Sequence, residues 1–194
     1  MERVLARVCR EAGGRVTQNT FVRDLNVRGI SADDGRRLEV VVSGLPLYQG
    51  QQLALDATLV SPVRRDGTAQ PGAAVEVGVT LRRARARKEA RYPEIVYGRR
   101  CRLVVFAMGV GGRWEQEAMD FVRVLAKAKS RSAPSLLRRS AELAWAKRWG
   151  SMISIAALGA VAASLLEEPC LGHDAIDGGT PPLGEVLHAA GAGG

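Results

Sequence analysis

The sequence predicts an α/β domain whose elements run helix, three strands, helix, strand, then further helices. Three observations carry this. Residues 37–43 and 53–61 alternate in side-chain character with a period of two, as half-buried strands do. Residues 2–12 put Val4, Leu5, Val8 and Cys9 on one helical face. The Ala/Arg-rich residues 73–91 read as a helix and lead to the unbroken apolar run of residues 102–108. Short connections among the first three strands predict an antiparallel meander, and the helix before the fourth predicts a crossover connection.

The first helix should stop at the breaker pair Gly13-Gly14. Residues 15–22 share parity at Val16, Thr20 and Val22 and read as the first strand. In the second strand Leu38, Val40 and Val42 face one way and Glu39, Val41 and Ser43 the other. In the third, Leu53, Leu55, Ala57 and Leu59 oppose Asp56, Thr58 and Val60. Pro62 and residues 64–72 break the pattern before the Ala/Arg helix, whose first turns contain the β-formers Val75, Val77 and Val79. Gly109, Gly111 and Gly112 make a strand-to-helix turn without the spacing of a phosphate-binding loop, and a helix follows over residues 115–128. Pro134 opens another helical stretch, which carries Trp145 and Trp149, breaks at Gly150 and resumes to Leu166. The four-residue spacing of these two tryptophans points to core packing rather than to base stacking.

Residues 151–166 hold 16 residues without a charge. A membrane span needs about 20 apolar residues, and Ser151, Ser154, Gly159 and Ser164 dilute this one, so a buried helix is expected and stable membrane association is not. From Pro169 onward the chain is Gly, Pro, Ala and Asp with little to bury, which predicts a disordered tail over residues 169–194. Residues 1–128 then make the core and 129–168 the helices packed on it.

The chain has 194 residues, 46% of them apolar and 25% charged, enough for one domain with a core. Its two histidines, His173 and His188, both lie in the Gly/Pro-rich tail, which argues against a histidine triad or a zinc-hydrolase site. Cys9, Cys101 and Cys170 are far apart and form no CxxC pair, as reduced thiols of an intracellular protein would be. Residues 1–16 are charged throughout, unlike a secretory signal. The net charge of +8 favours a polyanionic partner, although 24 of the 28 cations are Arg, a bias that a GC-rich coding sequence also produces. Against that bias each of the four lysines, Lys88, Lys127, Lys129 and Lys147, stands out.

Chemistry enters at Glu39 and Asp56, carboxylates mid-strand on consecutive strands among apolar neighbours. Such groups are costly there unless paired. Two readings fit: each pairs with an arginine, or the two come within reach of one Mg²⁺, which prefers carboxylates and keeps several waters.

The order αβββαβ, with Arg36-Arg37-Leu38-Glu39-Val40-Val41 followed by Leu53-Ala54-Leu55-Asp56-Ala57-Thr58-Leu59-Val60-Ser61-Pro62, resembles the metal-binding hairpin of the PD-(D/E)XK restriction-like nucleases. More narrowly, it resembles the restriction-like endonuclease domain of site-specific non-LTR retrotransposon polyproteins, in which a helix ends Lys-x-x-Lys-Tyr. Lys88-Glu89-Ala90-Arg91-Tyr92 stands in that position, and the likeness runs on through residues 102–108, Gly112-Arg113-Trp114 and Glu117-Ala118. The resemblance implies a restriction-endonuclease-like core with a C-terminal helical extension, acting as a metal-dependent DNA endonuclease. It implies Glu39, Asp56 and the Ala57 carbonyl as ligands of Mg²⁺ (or Mn²⁺), and Lys88 as the group that orients the attacking water. Glu11 is the corresponding accessory carboxylate, Tyr92 packs or donates a hydrogen bond, and Arg37, Arg87, Arg91, Lys127 and Lys129 contact DNA. An intracellular, nuclear site of action follows, with the rest of a retroelement polyprotein as partner, the chain being a detached piece of such an element or a stand-alone derivative. The pattern departs from the family at Leu38-Glu39, where the family has Pro-Asp, and at Thr58, where the parent motif has Lys. Both departures keep open a second outcome, a nucleic-acid-binding relic without cleavage.

Overall fold

The computed structural model describes residues 1–25, 27–166 and 179–191. Its elements are α1 (Glu2–Glu11), β1 (Arg15–Phe21), β2 (Arg37–Ser43), β3 (Gln52–Val60), α2 (Val79–Arg91), the short α3 (Pro93–Val96), β4 (Cys101–Gly109), α4 (Gln116–Ser130), α5 (Arg138–Leu166) and α6 (Leu183–Gly191). The strands form one sheet in the order β1-β2-β3-β4. β1, β2 and β3 are antiparallel neighbours, and β4 lies parallel to β3 after the crossover through α2 and α3. The chain is therefore a mixed α/β fold.

Alternation along the strands gives the sheet two buried faces. Val40, Val42, Leu53, Leu55, Val104 and Phe106 pack on one side with residues of α1, α4 and α5. Val41, Ala54, Leu103, Val105 and Ala107 pack on the other with Leu81 and Ala84 of α2 and Ile95 of α3. Phe106 and Phe121 meet edge to face at 5.6 Å, and Trp145 and Trp149 lie in the core with ring centroids 5.2 Å apart. The turn from α1 into β1 needs Gly14, because a Cβ there would come 2.6 Å from Cγ1 of Val42.

The β2–β3 ladder is short. It pairs Val42 with Leu53, Val41 with Ala54 and Val40 with Leu55. Glu39 and Asp56 are thus the first residues beyond the last pair of this ladder. The β1–β2 ladder also omits Glu39, since pairing passes from Gln18↔Val40 to Thr20↔Leu38 while Asn19 between them takes a left-handed backbone (φ 52). Asn is among the residues that tolerate that region best.

Four features differ from the sequence expectation. Residues 73–78 are turns and α2 begins at Val79, because Gly72 and Gly78 both take positive φ and Val75 and Val77 find nothing to pack on. Gly150 does not interrupt α5: Trp149 and Ile153 on either side are fully buried, and that packing outweighs the roughly 1 kcal/mol a helical Gly costs. Residues 151–166, expected to be a buried helix, are helical but largely exposed, with Ile155, Leu158, Leu165 and Leu166 all open to solvent. By length and composition α5 is apolar enough to cross a membrane, as core helices of soluble proteins also are. Within the expected disordered tail, Leu183–Gly191 form α6, which buries Val186 and receives Lys147 Nζ on the Ala190 carbonyl at 3.0 Å. Its apolar residues Leu183, Val186, Leu187 and Ala190 fall at helical spacing against the main core. Cys170 and His173 lie outside the described residues.

Glu11 fastens α1 to α5. It is 3% exposed and accepts from Arg148 Nη2 (2.9 Å), Trp149 Nε1 (2.8 Å) and Arg7 Nε (3.1 Å). Burial pushes its carboxyl up, but the bonds from Arg148, Trp149 and Arg7 outweigh burial and hold it below its ordinary value. Glu11→Ala strands a buried indole N–H and a half-buried guanidinium and should cost about 2–3 kcal/mol in urea unfolding. Because the folded carboxyl titrates below the unfolded one, this stabilisation is complete above about pH 4.3 and is lost as pH falls further. The gap in Tm between wild type and Glu11→Ala should therefore close on acidification; a gap that widens below pH 4 or so would contradict this.

Candidate functional site

The site forms where the sheet opens. Asp56 is 2% exposed on β3, with its side chain on the α2 face. Lys88, three residues from the end of α2, spans the layers and donates to both Asp56 oxygens, at 2.9 Å each. Its ammonium offsets the cost of a carboxylate in the sheet interior, and removing one partner of such a pair typically costs about 3–5 kcal/mol. Glu39 turns its carboxylate along β3, where Oε2 accepts from the Ala57 N–H at 3.1 Å. A side-chain oxygen thus replaces the backbone acceptor that the ended ladder would have supplied. Burial, and next the charge of Asp56, push the Glu39 carboxyl up to about 7, opposed by the Ala57 N–H and by Lys88.

The lysine and tyrosine at the end of α2 reach the same place. Tyr92 is 1% exposed and donates to the Arg37 carbonyl at 2.9 Å, tying the end of α2 to the start of β2. Burial and then the Asp56 charge raise its hydroxyl to about 12, so it remains a donor. Arg36 ion-pairs with Asp34 (2.6 Å) and Glu94 (3.0 Å) and donates to the Arg91 carbonyl. These contacts set the angle at which α2 delivers Lys88.

The structure brings Glu39, Asp56, Ala57 and Lys88 together, with Arg37 two residues before Glu39 on β2. Arg87 and Arg91 are exposed on the last turns of α2, the Arg91 guanidinium 5.6 Å from the Tyr92 ring centre. Lys127 and Lys129 are not brought to this centre. They end α4, on the opposite face of the sheet, and Lys129 lies 5.5 Å from the Trp145 ring.

Glu11 is not brought there either. Arg15 pairs with Ser43, so the C-terminal end of α1 lies at the far end of β2, four residues or about 13 Å from Glu39. The Glu11 carboxylate is instead bonded to Arg148 and Trp149. The acid of α1 on the side of the centre is Glu2, whose charge adds to the upward pressure on Glu39 and whose Oε1 accepts from Gln18 Nε2 at 3.1 Å. The signal for it was in the hairpin topology: β1 leaves α1 antiparallel to β2, so the helix start, not its end, faces the start of β2.

The donor set suits a hard divalent cation. Two carboxylates with a backbone carbonyl beside them are oxygen ligands of the kind Mg²⁺ takes together with water. Among the described residues no three acidic, His or Cys side chains converge on one point, so waters and Ala57 would complete such a shell. A cation between Glu39 and Asp56 would also relieve the repulsion that raises Glu39. Compared with models of known protein families and with curated proteins, the chain matches none.

Glu39 carries a testable consequence. A carboxyl raised on folding loses stability as pH climbs from the unfolded value, about 4.3, through the folded one. The Tm of Glu39→Gln should therefore gain on wild type between about pH 4.5 and 7.5 and hold that lead above it; a difference independent of pH would contradict this arrangement.

Proposed function

We propose that this chain is a metal-dependent DNA endonuclease of restriction-like fold, derived from a non-LTR retroelement, that nicks phosphodiester bonds at Glu39, Asp56 and Lys88. The observation that carries the reading is the Lys88 ammonium 2.9 Å from both oxygens of Asp56, beside Glu39, at the point where the β2–β3 ladder ends. The sheet order, with three antiparallel strands and a fourth returning in parallel through a helix, supports the finer fold assignment.

Hydrolysis forms a bond from water oxygen to phosphorus and breaks one bridging P–O bond, with negative charge growing on the non-bridging oxygens. Glu39, Asp56 and the Ala57 carbonyl would hold Mg²⁺ or Mn²⁺, which when bound would polarise the phosphoryl oxygen and make a coordinated water more acidic. Lys88 holds its positive charge beside the carboxylates, orients the attacking water and steadies the charge that develops. Arg37, Arg87 and Arg91 bind phosphates of the DNA around the centre. The partner is duplex DNA, together with the rest of a retroelement polyprotein, and the site of action is nuclear. Lys127 and Lys129, on the other layer, would serve only a duplex that wraps round the domain.

One observation favours a second reading. Lys88 already neutralises Asp56 through both oxygens, and Thr58 stands where the parent motif has Lys, as in a DNA-binding relic that no longer cleaves. Nicking of supercoiled plasmid separates the two. Wild type is expected to nick with Mg²⁺ or Mn²⁺ and not with EDTA, and Asp56→Ala and Lys88→Ala to lose about 10²-fold or more. Unchanged nicking by a folded Asp56→Ala would remove the assignment; a wild type that binds DNA without nicking would establish the relic.

A further inference from the structure

Some arginines near the centre are already engaged. Arg36 is held by Asp34 and Glu94, and Arg85 by Glu89, Glu115 and Glu117. Two are not. Among the described residues Arg23 and Arg37 form no ion pair, yet both are ordered against one ring: their guanidinium carbons lie 4.2 and 4.0 Å from the centre of Phe21. Asp34 is within electrostatic range of Arg23, but both its oxygens are taken by Arg36.

The three residues come from different elements at one edge of the sheet. Phe21 ends β1 and pairs with Arg37, the first residue of β2, and Arg23 follows in the single 3₁₀ turn after β1. Arg23 and Arg37 are exposed while Phe21 is half-buried, so the ring is anchored and the guanidiniums face water. Bringing two like charges to one small ring is unfavourable unless something negative joins them. A guanidinium resting on a ring keeps its N–H edge free, and that edge matches the two oxygens of a phosphate.

We infer that Arg23 and Arg37, held on Phe21, form a clamp for the phosphodiester backbone of the strand that enters the centre. Arg37 precedes Glu39 by two residues, about 6–7 Å of strand, which is roughly two nucleotide rises at 3.4 Å each. The clamp therefore grips a phosphate one or two nucleotides from the one attacked. The inference rests on the DNA reading above and adds to it a place where the backbone is held. It also gives Phe21 and Arg23 roles in positioning substrate.

Fluorescence anisotropy with a labelled duplex and the full chain in EDTA, from 50 to 200 mM KCl, tests this apart from cleavage. Each phosphate contact contributes a slope of about 0.9 in log K against log salt. Arg23→Ala should lower the wild-type slope by about 0.9, and Arg23→Ala with Arg37→Ala by about 1.8. The affinity advantage of wild type over Arg23→Ala should shrink about 3-fold across that range. Phe21→Leu, which keeps both charges but removes the ring, should weaken binding while retaining most of the slope. Arg123→Ala, whose guanidinium pairs with Asp120 on α4, should leave the slope unchanged. Wild-type binding with an unaltered slope in Arg23→Ala, or an equal drop in Arg123→Ala, overturns the clamp and leaves the DNA reading standing. A wild type that does not bind DNA at 50 mM KCl overturns both.

Discussion

A carboxylate in the middle of an interior strand constrains much of this molecule. Asp56 is almost fully buried on β3 between β2 and β4, where a carboxylate is costly without a partner. Lys88 meets that need from the opposite layer, which requires α2 to cross the sheet and to end above β2. Tyr92 on the Arg37 carbonyl, and Arg36 between Asp34, Glu94 and the Arg91 carbonyl, hold the helix end where Lys88 can reach. The same requirement explains why the β2–β3 ladder stops after three pairs. With Glu39 and Asp56 next in line, continued pairing would set like charges directly across from each other. The strands instead part, and the Glu39 carboxylate bonds the free Ala57 N–H.

The strands and their order were legible because the two sides of β2 and β3 differ in character, with Glu39, Asp56 and Thr58 on one and only apolar residues on the other, β4 reads as an unbroken apolar run, and the connection lengths dictate the topology. β2 begins and ends where the alternation does, and β1, β3 and β4 differ by a residue or two at their ends. The pair Asp56–Lys88 was legible only through the family likeness, since 32 residues separate the partners and no local pattern links them. What was not legible depended on tertiary packing. Gly150 looks like a break until Trp149 and Ile153 are seen in the core, and the sparse tail hides a helix whose few apolar residues find α5. Glu11 was misassigned because an acid at a helix end carries no label for what it faces. Its partners, Arg148 and Trp149, lie more than 130 positions away.

Charge in this protein divides into two populations. One is consumed internally, as at Arg148 on Glu11, Arg36 on Asp34 and Glu94, and Arg85 among three glutamates. The other, which includes Arg23, Arg37, Arg87 and Arg91, remains exposed at the sheet edge and on the last turns of the helix beside the acidic pair. The net charge of +8 alone does not distinguish a coding bias from a binding surface. The position of the exposed cations beside these carboxylates favours the binding surface of the proposed reading, in which a polyanion drawn to them would bring a phosphate next to Glu39 and Asp56.

On the proposed reading, Glu39 and Asp56 together hold one divalent cation. Calorimetric titration of Mn²⁺ into the full chain at neutral pH, repeated with Asp56→Asn, tests it without DNA or turnover. A single site is expected in wild type and is lost in Asp56→Asn, while that variant still unfolds cooperatively. Mn²⁺ binding that is undiminished in Asp56→Asn, or absent from wild type, would contradict it.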